Sequence, residues 1–422
     1  MNRIILSIGV SMLAVAAMGQ TSREEIFADL DKAGGVYYAY PATSADNTPA
    51  PKGYAPFYIS HFGRHGSRYL ISDDDYNRVA GLLERAREAD ALTPLGKELA
   101  ADLDSLLIEA RGRGGDLSPL GVRQHKAIAR RMAENYPEVF KDSAKVDARS
   151  TLVVRCVLSM AAFCESLKEI NPSLDITRES SQRYMPDICP WNSKGSDFRS
   201  DKGWWKEVSR KFKNRQTRPD RLVKAIFSDD EFVDKYVNPY NFMWGIYWLA
   251  ADGQNTEGKI DFKRYLTPDE MFDLWQCFNA DFYARYADFP GNNGVAVKET
   301  VPILKDIVDR ADVALAADKP SASLRFAHDG NLVPFSSLLG IPVASGREDK
   351  VENFYKAWCD FNVSPMAGNI QFVFFKNKKN PKDIIVKVLH NEKEVLLPVK
   401  TDIAPYCRWD DMRDYLVGLM KE

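Results

Sequence analysis

The chain has 422 residues, 45% of them hydrophobic, and a formal net charge of −2. That length buries a substantial core and suggests about two to three domains. A near-neutral balance argues against a basic protein that coats nucleic acid, and makes local clusters of charge the features to follow.

Residues 1–19 run from a short positive start at Asn2-Arg3 through the apolar stretch IILSIGVSMLAVAAMG to small residues around Gly19. This order predicts a secretory signal peptide cut near Gly19 or Gln20, with an uncleaved N-terminal anchor as the alternative, and hence a periplasmic or secreted protein. No later segment approaches a membrane span. APFYIS then reads as a strand, followed by helices over 75–90 and 94–111 and a third with Ser118 as N-cap and Pro119 in its first turn. AKVDARS predicts a strand, TLVVRCVLSMAAFCESLKEI a helix and LDITRES another strand. Residues 189–293 change character, rich in aromatics and charge with little alternation, and read as a mainly helical insertion. The alternation returns with a helix at ETVPILKDIVDRADVALAA, a strand at ASLRFAHD, a helix from near NLVPFSSLL, a strand at NIQFVFFKN and a hairpin turning at Asn391-Glu392.

The pattern predicts an α/β fold, a mostly parallel sheet flanked by helices. Its core is expected in two parts, residues 20–188 and 294–422, with the smaller helical region of 189–293 between them. The six cysteines, Cys156, Cys164, Cys189, Cys277, Cys359 and Cys407, show no CxxC spacing and read as small buried side chains or one or two bridges.

Three segments carry chemistry. In SHFGRHGSRY, from Ser60 to Tyr69, a strand runs into a glycine-containing loop, which places His65 at the carboxyl edge of the sheet, where open α/β sheets bind ligands. Arg64 and Arg68 offer forked donors to phosphate oxygens and disfavour protonation of the histidine between them. A neutral imidazole beside a bound phosphate is a nucleophile. The plainer alternative is ordinary ion pairs around a packed histidine. A metal reading of His61 and His65 fails because their spacing needs a helix that the glycines disfavour.

In FAHDGNLVPF, His328 and Asp329 follow an apolar strand and precede a helix. Asp329, if held protonated near phosphate and an apolar pocket, supplies the proton that an alkoxide leaving group needs; its alternative is a helix cap. In DARSTLVVRCVLSM, Arg149 ends a strand and Arg155 lies one to two turns into the next helix, so either could face a ligand at the sheet edge or form a structural salt bridge.

Together the sequence resembles the histidine acid phosphatases, the branch of the histidine phosphatase superfamily that includes phytases and multiple inositol-polyphosphate phosphatases. RHGxR matches Arg64, His65, Gly66 and Arg68; R-S-x4-R-x3-S matches Arg149, Ser150, Arg155 and Ser159; HD matches His328 and Asp329; L-[ST]-x2-G-x2-Q matches Leu117, Ser118, Gly121 and Gln124. The resemblance implies a phosphoglycerate-mutase-like core and a phosphoric monoester hydrolase. His65 becomes phosphorylated, Arg64, Arg68, Arg155 and His328 hold the phosphate, Asp329 donates the proton, and no metal or organic cofactor is needed. The implied partner is a small phosphorylated molecule, inositol hexakisphosphate or a related inositol or sugar phosphate.

Two positions depart from the family. The proline that often follows RHGxR is Leu70 here, and the acid of HAE-type inositol-polyphosphate phosphatases would fall at Gly330, which weakens assignment to that subgroup. Nine cations between Lys202 and Lys224 either rim the site to attract a polyanion or form a solvated helical face. Trp204 and Trp205 read as packing anchors. DGQNTEGKID resembles a calcium loop only superficially, since it lacks the acid spacing and the terminal Glu. The alternative functions are a broad acid phosphatase or sugar-1-phosphatase, and a degenerate phosphatase fold that binds phosphorylated ligands.

Overall fold

The structure, a computed structural model, describes residues 22–41, 47–190, 205–317, 319 and 321–421. The expected leader at 1–19, together with Lys202 and Trp204, lies outside the described residues.

Eight strands form one sheet: β1 (Tyr54–Arg64), β2 (Lys145–Ser150), β3 (Asp175–Ser180), β4 (Ala322–Ala327), β5 (Asn369–Asn377), β6 (Ile384–His390), β7 (Lys393–Val395) and β8 (Tyr406–Arg408). Their order is β3-β2-β4-β1-β5-β6-β7, with β8 also pairing with β6. The first four are mutually parallel; β5 to β8 join antiparallel. β4 is buried along its whole length and β1 over its last seven residues, as strands covered on both faces must be. Successive residues of β1 serve opposite faces: Ile59 packs with Ile128, Met160 and Phe163, whereas Tyr58 and Phe62 pack with Ile303, Leu304 and Phe335. Asn391 and Glu392, at φ 49° and 63°, form the tight turn between β6 and β7, as expected.

The longer helices are α1 (Asp73–Glu88), α2 (Pro94–Ala110), α3 (Pro119–Asn135), α4 (Val154–Ile170), α5 (Trp205–Gln216), α6 (Asp220–Ile226), α7 (Asp230–Tyr236), α8 (Pro239–Asp252), α9 (Pro268–Tyr286), α10 (Val301–Ala317), α11 (Asp329–Leu338) and α12 (Trp409–Leu419). Among the described residues, none is long and apolar enough to cross a membrane. α3 and α4 cover one face of the sheet, and α10, α11 and α12 the other. Between β3 and β4 every long element is helical. Residues of α8 and α9 share an apolar cluster with α1 and α2, so these two early helices pack with the helical region.

One expectation shifts. The helix after β2 begins at Val154, because Val153 remains extended at φ −76°, ψ 126° and Thr151 N–H donates to the Phe326 carbonyl. Arg155 is therefore the second helical residue, closer to the sheet edge than the sequence pattern suggests. All six cysteines are buried, in keeping with the reading of small buried side chains.

Candidate active site

β1 and β4 are adjacent and parallel, and Arg64 pairs with Ala327 at their carboxyl ends. His65 and His328 thus leave the sheet side by side, with ring centroids 5.7 Å apart. β2 ends on the same edge, where Ser150 pairs with Phe326, and delivers Thr151 and Arg155.

The His65 N–H donates to the Ala327 carbonyl at 3.0 Å, and the His65 carbonyl accepts from Ala367 at 2.9 Å. Its Nδ1 lies 2.9 Å from the Gly66 carbonyl. A carbonyl can only accept, so Nδ1 carries the ring proton and Nε2 keeps its lone pair. Burial first, then Arg64, Arg155 and His328, hold the imidazole well below its ordinary pKa, so it is neutral.

Three guanidinium groups surround it. Arg64 is fully buried; its Nη1 donates to the carbonyls of Val36 at 2.5 Å and Ser364 at 2.8 Å, and its Nη2 to Asp329 Oδ2 at 2.6 Å. Burial lowers its pKa to about 10, which leaves it charged. Arg68 donates to the Tyr69 carbonyl at 2.8 Å and to the Tyr37 hydroxyl at 3.3 Å, with its guanidinium carbon 4.7 Å from the Tyr37 ring centroid. Arg155 places Nη2 3.5 Å from His328 Nδ1 and Nη1 3.5 Å from the Gly115 carbonyl. The buried Nε groups of all three arginines have no hydrogen-bond partner among the described residues. Three guanidinium groups against the carboxyl groups of Asp329 and, beside Arg68, Asp252 leave positive charge and spare donors, a combination that suits a phosphoryl group.

Asp329 is the first residue of α11. Its Oδ1 accepts from the Gly330 amide at 2.7 Å and its Oδ2 from Arg64. Burial, the largest influence, would raise its pKa, but Arg64, Arg68, His328 and the Gly330 amide outweigh it and hold the carboxyl below its ordinary value. In the ligand-free protein Asp329 is therefore a carboxylate paired with Arg64, and the protonated form expected of it belongs to the phosphate-bound state. His328, lowered to about 4 by burial and then Arg155, is also neutral, with Nε2 3.2 Å from Thr151 Oγ1.

The remaining motif residues build the scaffold under the loop. Ser118 N–H donates to the Ser67 carbonyl at 2.9 Å, Gln124 bonds both the Ser67 amide and its hydroxyl at 2.8 Å, and Ser159 accepts from the Gly66 amide at 3.1 Å. A Cβ on Gly121 would sit 2.3 Å from the Ser67 carbonyl oxygen, so this glycine is what lets α3 approach the loop.

Two expectations do not reach the site. Arg149 lies over the Tyr184 ring at 3.8 Å and faces Glu179 and Asp306, each at 3.8 Å, as the structural alternative for it had it. The basic run is largely consumed in ion pairs: Arg210 and Lys211 with Glu207, Lys213 with Asp281, Arg215 with Glu352, Arg218 with Asp273 and Arg221 with Glu270. His61 packs between Phe163 and Phe326, a buried neutral neighbour of the loop.

Sequence reasoning missed Tyr37, Thr151, Asp252 and Asn255. Val36 and Tyr37 arrive on one strap, so a single segment holds both Arg64 and Arg68. The only local signal was Gly34-Gly35: Gly35 has φ +58°, and a Cβ there would sit 2.3 Å from Asp360 Oδ2.

The sequence matches no family model and no curated protein. Solved structures are similar. A multiple inositol polyphosphate phosphatase from Bifidobacterium longum, in complex with phosphate, superposes with a TM-score of 0.77 at 16% identity, covering 92% of this chain and 98% of that one. The phytase from D. castellii gives 0.69 at 14% identity, covering 92% and 85%. The phytase from Hafnia alvei, in complex with tartrate, gives 0.53 at 13% identity, covering 87% and 98%. The chain thus has the fold of these inositol-polyphosphate phosphatases and phytases, the fold that its resemblance to the histidine acid phosphatases implied.

Proposed function

We propose that this chain is an exported phosphomonoesterase that works through a phosphohistidine, with inositol hexakisphosphate or a related inositol or sugar phosphate as substrate. The observation that carries the reading is the state of His65: neutral, with its proton committed to Gly66 through Nδ1 and its Nε2 lone pair free among Arg64, Arg68, Arg155 and His328. The fold shared with inositol-polyphosphate phosphatases supports the same substrate class.

In the first step Nε2 attacks phosphorus and the bond from phosphorus to the ester oxygen breaks. Its electron pair leaves on that oxygen, which takes a proton from Asp329. The guanidinium groups carry the charge that spreads over the transferring phosphoryl oxygens. In the second step water attacks phosphorus, the bond to Nε2 breaks, and Asp329 takes the proton that water gives up. Asp329 must therefore gain a proton between the ligand-free state and the first step, and the negative charge of the arriving phosphate supplies the cause by competing for Arg64 and Arg68.

A second reading, a broad acid phosphatase, is favoured by the ion pairing of the basic run, which leaves few free cations there for a polyanion. Product-resolved turnover of phytate, several sugar phosphates and p-nitrophenyl phosphate decides between them. Phytate kcat/KM at least about tenfold above the others supports the first reading. Equal values support the second, and no turnover of any ester removes both. Export is tested by the N-terminal mass of the mature protein.

A further inference from the structure

The segment DGQN, singled out in the sequence and rejected as a calcium loop, begins and ends with buried polar side chains that reach the loop around Arg68 from the helical region. Asp252 closes α8, and Asn255 ends the short turn after it. Asp252 Oδ2 accepts from the Leu70 amide at 3.1 Å and from the Tyr76 hydroxyl at 2.8 Å, while that hydroxyl also accepts from the Leu70 amide at 2.8 Å. Asn255 Oδ1 accepts from the Ser67 hydroxyl at 2.7 Å, and its Nδ2 donates to the Tyr37 carbonyl at 2.9 Å. The residues gripped, Ser67 and Leu70, flank Arg68, and Tyr37 carries the hydroxyl that Arg68 touches. Both side chains are fully or almost fully buried, where a polar group persists only with its bonds made.

We propose that Asp252 and Asn255 are positioning residues that clamp the loop on both sides of Arg68, and so set where that guanidinium meets the phosphoryl group. The proposal rests on the reading of Arg68 as a phosphate ligand. Neither residue touches the reacting atoms; each acts through backbone and hydroxyl groups next to Arg68. The clamp also explains why a helical region distant in sequence is fitted closely to this loop: it lends rigidity to a cation that, among the described residues, makes no direct ion pair, Asp252 and Asp329 acting on its charge only from a distance.

The test compares wild type with Asp252→Asn, Asn255→Ser and Tyr76→Phe, each alone and with Arg68→Lys. Measurements are kcat/KM for p-nitrophenyl phosphate and glycerol phosphate, inhibition by orthophosphate, orthophosphate binding by thermal shift, and Tm. Asn255→Ser and Tyr76→Phe should lower kcat/KM about tenfold for both substrates alike and weaken orthophosphate by a similar factor. In the Arg68→Lys background the same substitutions should cost about twofold or less, because the residue they position is gone. Asp252→Asn keeps an acceptor for Leu70 and Tyr76 and should show the smaller loss. A drop in Tm with kcat/KM and orthophosphate affinity unchanged overturns the proposal, as does a full-sized loss in the Arg68→Lys background. If wild type binds orthophosphate but turns over no ester, the proposed function fails while the orthophosphate measurements still decide the clamp.

Discussion

Asp329→Asn probes the step on which the proposed mechanism depends. In the ligand-free site Asp329 is a carboxylate, 2.6 Å from Arg64 and 2.7 Å from the Gly330 amide, with about a fifth of its side chain exposed. A phosphoryl group bearing one negative charge about 4 Å away, at an effective dielectric of about 20, disfavours that carboxylate by about 4 kcal/mol. Since 1.36 kcal/mol is a factor of ten, Asp329 should hold a proton about a thousandfold more tightly in the substrate complex than in the free protein. The substrate would thereby load its own acid. In assays of kcat from about pH 3 to pH 8, wild type should lose activity on glycerol phosphate with a one-proton slope as pH rises through the carboxyl of the complex. Asp329→Asn should erase that limb and lower kcat on glycerol phosphate by about 10²- to 10⁴-fold. The loss on p-nitrophenyl phosphate should be far smaller, because its leaving group departs without a proton. Orthophosphate should bind the variant more tightly, since a like charge has been removed. Equal losses on both substrates, or a descending limb that survives the substitution, would refute the reasoning.

His65→Ala should lower hydrolysis by about 10³-fold or more and eliminate acid-labile phosphate on the protein after a quench, with Tm near that of wild type; retained turnover removes His65 as nucleophile. Gly121→Ala forces a methyl group against the Ser67 backbone and should cost about 1–3 kcal/mol in urea unfolding while lowering kcat/KM. Asp306 lies 2.6 Å from Arg325, which is buried mid-strand in β4, and Asp306→Ala should cost about 3–5 kcal/mol near neutral pH. Burial would raise the Asp306 pKa, but Arg325 and Arg310 together hold it below its ordinary value. Its contribution is therefore present above the unfolded carboxyl's pKa of about 3.9 and fades as pH falls through the lower folded value, so the gap between variant and wild type should narrow in acid. Replacing Arg210 and Arg215 by Ala should change phytate kcat/KM by less than about twofold at low salt, because their charge is already matched by Glu207 and Glu352; a large loss would restore the basic run as a polyanion funnel.

The residues legible in the sequence share one property: each stands at or just beyond the carboxyl end of a strand whose apolar run is itself visible. Arg64 and His65 follow APFYIS, His328 and Asp329 follow ASLRFA, and Arg155 follows AKVDARS. Parallel pairing of β2, β4 and β1 then has to bring them to one edge. Residues that act through the folded arrangement were not legible. Nothing near Tyr37 says that its hydroxyl meets Arg68, and nothing near Asp252 says that its partners are Leu70 and Tyr76. The pairing of Asp329 with Arg64 is of the same kind, since local sequence supplies the helix start but not the guanidinium of a residue far upstream. The two readings of the basic run stay open in the sequence because most of its balancing acids, Glu270, Asp273, Asp281 and Glu352, come from other helices and loops.

The distribution of charge then separates two tasks. Along α5 and into α6 most of the positive charges lie in ion pairs, which serves packing and solubility but gives an approaching anion little to choose between. At the sheet edge the balance is incomplete: Arg64, Arg68 and Arg155 outnumber the nearby carboxyl groups of Asp329 and Asp252, and on the proposed mechanism Asp329 is the group that must change its proton. On the proposed mechanism such a site would bind one phosphoryl group strongly and respond to its arrival. On that mechanism discrimination among alkyl phosphate esters would come from contacts made by the remainder of the substrate, because the proton that Asp329 gives to the leaving oxygen is needed for each of them.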